Sequence, residues 1–243
     1  FEKENIMALP LLNVATYDLK LPSSGKKIQY RPFLVKEEKI LLQAMEGQDE
    51  KEILRALKQL ITQCVSTEGF KVDDIAMVDL EYIFLRMRSK AVGDISTINF
   101  THKPGECGGV IKVEIDLTKV EPTKNKNESD LIKITDEVQV RMVPPTVKAL
   151  SNIDGSKSQI DSAFDTIRDC ITEIYSNDEL FSVQDHTTKE VDDFINSLSS
   201  NQFSKLRDYF DNLPALKHDI EYTCPKCNEI ETQTIQGVAS FFG

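Results

Sequence analysis

The sequence predicts an α+β protein in which strand-like and helix-like segments alternate along the chain. Three observations carry that reading. Apolar and polar side chains alternate near residues 15–33, 95–117 and 219–235. Apolar residues recur three and four apart between 36 and 90, and again between 159 and 212. Two Cys-containing turns, at 102–108 and 224–228, each open onto a strand pattern.

The elements follow in order. Phe1-Glu2-Lys3-Glu4-Asn5-Ile6 precedes an ordinary-looking start at Met7, reads as a translated leader or an expression scar, and is set aside from the fold. Residues 15–21 and 27–33 alternate around Pro22-Ser23-Ser24-Gly25, which predicts a β-hairpin with Pro32 at its end or on an edge. Helices are expected at 36–46, with Ile40, Leu41 and Ala44 on one side, and at 49–65 behind an Asp49 cap. A third is expected at 74–90, carrying Ile75, Val78, Tyr82, Leu85 and Met87. These stripes have the spacing of core packing. Strands are expected at 95–101 and 110–117, joined through Pro104-Gly105, and at 131–143. Residues 122–130 have the composition of a mobile loop. A helical block follows, at 159–176, 188–198 and 201–212, closed by Pro214, and strands return at 219–223 and 229–235.

The resulting division is a hairpin plus helical region (7–93), a β-module built from two separated pieces (94–143 and 219–243), and a helical insertion between them (144–218). Hydrophobic residues make up 40% and charged residues 28% of the chain, and no apolar run is long enough to span a bilayer. We therefore expect a soluble protein or particle component made inside a cell. The formal charge is -11, and nearly all of it falls after residue 150, where 17 acidic residues face 7 basic ones. An acidic face disfavours nucleic-acid backbones. It suits either solvent or a basic protein surface.

Five cysteines are too few and too scattered for a secreted disulfide framework. Cys64 and Cys170 fall within apolar helical patterns and read as small core residues. Cys224-Pro225-Lys226-Cys227-Asn228 is different. Two thiolates one tight turn apart point at a common metal, and the residue after the second Cys often needs a positive φ, which Asn tolerates. A tetrahedral site needs two more donors. His102 and Cys107 supply them best, because Phe100-Thr101-His102 and Cys107-Gly108-Gly109 repeat the order strand, ligand turn, Gly, strand. The expected site is His102, Cys107, Cys224 and Cys227 around a structural Zn2+, which makes the β-module a split zinc-ribbon-like unit. His218 is the competing fourth ligand; a redox pair or a metal-free hairpin are the other readings of Cys224–Cys227. His186 lies in an acidic loop and reads as exposed. No nucleotide-binding Gly loop, nucleophile elbow, His-Glu-x-x-His or paired catalytic carboxylates stand out, so no catalytic residue or cofactor-binding residue is assigned and the chain does not read as an enzyme.

One segment carries a family resemblance. Leu19-Lys20-Leu21-Pro22-Ser23-Ser24-Gly25-Lys26-Lys27 followed by Tyr30-Arg31-Pro32-Phe33-Leu34-Val35-Lys36-Glu37-Glu38-Lys39 resembles the baseplate hub subunit and hub assembly family of T-even-like contractile-tail bacteriophages. The likeness extends through the helices to about residue 90 and takes in the two knuckles. It implies a non-enzymatic role in building the baseplate hub, located in the virion tail or in the host cytoplasm during assembly. The implied partners are other hub, spike and wedge proteins, with the chain oligomeric within that assembly and binding no nucleic acid. The residues alone also suit a zinc-ribbon adaptor of transcription that binds a polymerase. Candidate docking surfaces are Tyr30–Lys36, the acidic helices and the Phe241-Phe242 end.

Overall fold

The structure is a computed structural model that describes residues 12–237, apart from Gln48, Pro104, Gly105, residues 152–157 and Asp178. The expected N-terminal leader and the Phe241-Phe242 end therefore lie outside the described residues. Strands β1 (Tyr17–Lys20) and β2 (Lys27–Tyr30) form the N-terminal hairpin, in register Tyr17 to Tyr30. Helices α1 (Val35–Glu46), α2 (Glu50–Cys64) and α3 (Met77–Ala91) follow. The amphipathic spacing seen in the sequence explains what they bury. Leu41 of α1, Leu57, Leu60 and Ile61 of α2, and Leu80, Ile83 and Phe84 of α3 pack with Ile28 and Tyr30 into one core. Each such side chain withdrawn from water contributes about 1.5–3 kcal/mol. Phe33 stacks on Phe84 with ring centroids 6.0 Å apart.

Helix α3 is buried on almost every side, so it cannot belong to one core alone. Its second face places Tyr82 and Leu85 in another cluster with Ile98, Ile115, Leu117, Val120, Leu216, Ile220 and Ile235. Those residues come from two hairpins, β3 (Ile95–His102) with β4 (Gly109–Asp116), and β9 (Lys217–Thr223) with β10 (Ile230–Gln236), and from their flanks. Arg86 ties the same junction together. It donates to the carbonyls of Leu117 (2.7 Å) and Val120 (3.1 Å) and pairs with Glu121.

Between the two hairpins lies a body with its own core. Strands β5 (Leu131–Lys133), β6 (Val138–Met142), β7 (Ile171–Ser176) and β8 (Glu179–Ser182) form a four-stranded antiparallel sheet in sequence order. The short helix α4 (Val147–Ser151) docks on the N-terminal helical core through Val147. Helices α5 (Gln159–Cys170), α6 (Thr188–Ser197) and α7 (Ser200–Asp211) cover one face of the sheet. Their shared core holds Val140, Met142, Ile167, Cys170, Ile171, Val191, Ile195, Leu206 and Tyr209.

Three expectations are corrected here. The strand at 131–143, assigned from sequence to the β-module, pairs instead with β7 of the insertion, Val140 opposite Ile174. The helix expected over 159–176 stops at Cys170, and Ile171–Ser176 is a strand. Ile171, Thr172 and Tyr175 are β-favouring, and the spacing of Ile171 and Ile174 mimics a helical repeat. Residues 122–130 are irregular but tied down: Thr123 donates to the Ala215 carbonyl (2.9 Å) and Lys126 to that of Asn212 (2.9 Å). Cys64 and Cys170 are buried core residues, and burial pushes their thiols up to about 11 and about 12.

Candidate metal centre

Two hairpin turns meet at one end of the β3–β4 and β9–β10 ladders. The second turn closes where the Cys224 amide donates to the Glu229 carbonyl (2.8 Å) and the Asn228 amide to that of Cys224 (2.9 Å). Asn228 takes φ 60, the left-handed conformation its position suggests. In the first turn the Cys107 amide donates to the Lys103 carbonyl (3.2 Å) and the Gly108 amide to the His102 carbonyl (3.0 Å). Gly108 has φ 65, where a side chain is disfavoured. Both turns thus aim their polar side chains at a common point.

The four residues named from the sequence come together there. One donor atom from each of His102, Cys107, Cys224 and Cys227 lies within 4.8 Å of all the others. Cys107 Sγ is 3.6 Å from Cys224 Sγ, and Cys227 Sγ is 3.5 Å from His102 Nδ1. His102 and Cys224 are buried, Cys107 is half-buried and Cys227 is exposed. All five cysteines are free thiols. His218 is not part of the group: it sits in β9 opposite Ile235, six residues before Cys224 and roughly 20 Å along an extended strand.

The sequence reading missed the outer layer. His102 Nε2 lies 3.1 Å from Glu231 Oε2, and Lys103 Nζ bridges Glu229 (2.7 Å) and Glu231 (3.0 Å) across the two turns. Its signal was present as two Glu on one face of the β10 approach, opposite a Lys in the other turn. Tyr222 adds an edge-on ring contact to His102, centroids 5.9 Å apart, and its hydroxyl donates to Glu231 (3.2 Å). Gly109 was also overlooked. A Cβ there would stand 2.6 Å from Cys224 Sγ, so only glycine lets the backbone pass the sulfur.

Electrostatics favour a thiolate at Cys224 and oppose one at Cys227. Burial pushes the Cys224 thiol up, but the amides of Cys227 and Lys226 and the neighbouring thiols pull it down further, to about 6. The Glu229 amide lowers Cys227, yet burial and the other two thiols outweigh it and hold it near 11. The Cys107 thiol raises the His102 imidazole against the opposing effect of burial. One thiolate thus discourages the next until a cation shares the site, a relation that a coordinated metal inverts. Three thiols and one imidazole in this arrangement could hold a metal ion. Cys224 and Cys227 sit in a β-turn rather than at a helix N-terminus, where a disulfide-exchange pair gains its low-pKa thiolate.

A soft-donor cluster between two hairpins, on a chain whose other described residues build three packed cores, defines a protein of modular α+β design. Residues 14–243 match the family described as T4 bacteriophage base plate protein, and the chain belongs to that family. The baseplate hub assembly protein gp26 of Enterobacteria phage T4 is 22% identical over 226 residues, covering 93% of this chain and 97% of that protein. No solved structure matches. The family resemblance read from Leu19–Lys39 holds over almost the whole chain, and the protein is a structural or assembly component of a phage tail baseplate. The transcription-adaptor reading has no support from either comparison. No helix among the described residues is long and apolar enough to cross a membrane.

Proposed function

We propose that the chain is a hub assembly protein of a contractile-tail baseplate, working through contacts with other hub, spike and wedge proteins and catalysing no reaction. The observation that carries this reading is the near end-to-end similarity to a hub assembly protein, with no large unmatched part on either side. The insertion, with its own core, is the projecting body of this assembly factor, and the β-module is the frame that aims it.

Zinc is the ion that suits the candidate centre. Zinc–sulfur bonds of about 2.3 Å and zinc–nitrogen bonds of about 2.0–2.1 Å in a tetrahedron put sulfurs about 3.8 Å apart and sulfur about 3.5 Å from nitrogen. The Cys107–Cys224 and Cys227–His102 separations of 3.6 and 3.5 Å fall close to both values. Four protein donors leave no open position, the mark of a structural site. The His102–Glu231 contact supplies the carboxylate that commonly orients a ligating imidazole. What the ion supplies is a cross-link between turns 117 residues apart in sequence.

Two measurements test this. Phage lacking the gene should accumulate wedges without completed hubs, and the protein supplied in trans should restore hubs; normal hub formation without it would end the assembly reading. Elemental analysis of tag-free protein should find close to one zinc per chain. Metal-free protein of unchanged stability would end the zinc reading while leaving the assembly role standing.

A further inference from the structure

The insertion exposes apolar side chains where its helices meet. Ile160 is 70% exposed and Phe164 is 38% exposed, both on α5. Phe164 stacks against Phe203 of α7 at 4.6 Å between centroids. Two adjoining grooves of about 530 and 630 Å³ share Ile160 and Phe164; the larger also takes in Phe203 and Phe210. An isolated exposed Ile needs no explanation, but a continuous aromatic ledge between helices marks a contact surface.

The charge around the ledge says what it fits. The smaller groove is lined by Asp161, Asp165 and Asp192, with Arg168 as its one basic residue. Arg168 is already committed to Asp165 (2.7 Å), Asp169 (3.1 Å) and Asp192 (3.3 Å). Three carboxylates converge on a single guanidinium, so the wall keeps a negative excess. The larger groove carries one charged residue of each sign, Arg207 and Asp211, so the negative excess lies on the α5–α6 side, and among the described residues no Lys lines either groove.

We infer that this α5–α6–α7 ledge is a docking site for a basic amphipathic helix of another assembly protein. The partner's apolar residues, spaced three and four apart, lie on Ile160, Phe164 and Phe203, and its flanking Lys or Arg meet Asp161, Asp165 and Asp192. This inference rests on the assembly reading above and names the surface through which it acts. Apolar anchors surrounded by complementary charge give affinity and orientation respectively.

The test replaces Ile160 by a photo-crosslinking phenylalanine analogue in the full-length protein, made in cells assembling the particle. Cross-linked peptides are then identified by mass spectrometry. The expected product joins residue 160 to a net-basic segment with apolar residues at helical spacing. In parallel, Ile160→Glu should keep the melting temperature, since the side chain is mostly in water, yet lower the cross-linked partner's affinity at least tenfold. A cross-link to the chain's own residues 238–243, to a second copy, or to an acidic or strand-forming segment would overturn the inference. So would an absence of cross-links, or unchanged affinity in Ile160→Glu. A basic helix belonging to a protein outside the baseplate would keep the docking site and refute the assembly reading, so the two fail separately.

Discussion

Gly109 shows how closely the two turns approach, because one added carbon there would lie 2.6 Å from Cys224 Sγ and 3.2 Å from Lys226 Cβ. Neither can retreat easily: Cys224 is buried, and Lys226 Nζ donates to the Cys107 carbonyl across the gap. Gly109→Ala is therefore expected to push the hairpins apart, lowering both metal content and melting temperature. Gly47→Ala is the control. Its φ of -73 suits any residue and its Cβ would meet only the Ala44 carbonyl at 3.5 Å, so stability should hold or rise by about 0.4–1 kcal/mol. Glu81 poses a different problem on α3. Burial pushes its carboxyl from 4.5 up to about 7. Its folded value thus lies above its unfolded one, so the fold is undisturbed below about pH 4.5 and loses stability as pH rises toward 7 and the buried group must ionise. Glu81→Gln should match the wild type in denaturant melts near pH 4 and exceed it by about 3 kcal/mol near pH 8. A gain that is equal at both pH values would show that ionisation is not the cause.

At the scale of elements, the pattern of side chains announced some features and hid others for identifiable reasons. The three N-terminal helices were legible because Leu57, Leu60, Ile61 and Cys64 repeat at helical spacing and bury the same face. The grouping of His102, Cys107, Cys224 and Cys227 was legible because each turn carries its own local signal, a Cys pair with Asn228 in one and Cys107-Gly108 in the other. The fate of residues 131–143 was not, since strand pairing across the insertion leaves no mark in either strand's own alternation. The end of α5 was hidden by Ile171 and Ile174, which fit a helix by spacing and a strand by shape. Helix starts are more local. Thr187 accepts from the Glu190 amide at 3.3 Å while Glu190 accepts from the Thr187 amide at 2.7 Å, a reciprocal box that caps α6. Thr187→Ala should cost about 1 kcal/mol in chemical unfolding. The loss should appear in the insertion, because Val191 and Ile195 pack there and not against α3. An unchanged midpoint would mean that tertiary packing alone holds the helix start.

Across the whole molecule, α3 is the shared wall between the N-terminal core and the paired hairpins, while the insertion keeps a core of its own. The chain leaves the β-module after β4 and returns at β9, so the module closes only when distant segments meet. Packing of Leu216, Ile220 and Ile235 on Ile98 and Ile115 holds one end. The four-residue cluster lies at the other, where a bound metal would close it. With zinc bound as proposed, loss of one ligand would remove part of a binding free energy of roughly 10–16 kcal/mol that is also folding free energy. Against a total stability of about 5–15 kcal/mol, that loss is large.

Hydrogen exchange on Cys227→Ser tests the clamp most directly, because it reads both size and place. Cys227 is exposed, so the substitution removes a ligand without opening a cavity. Exchange should quicken across Ile95–Asp116 and Lys217–Gln236 and at the entry and exit of the insertion. Amides near Leu57–Ile61, within the N-terminal core, should keep their protection. Unchanged exchange in both hairpins would contradict the account, as would uniform loss of protection that included α2.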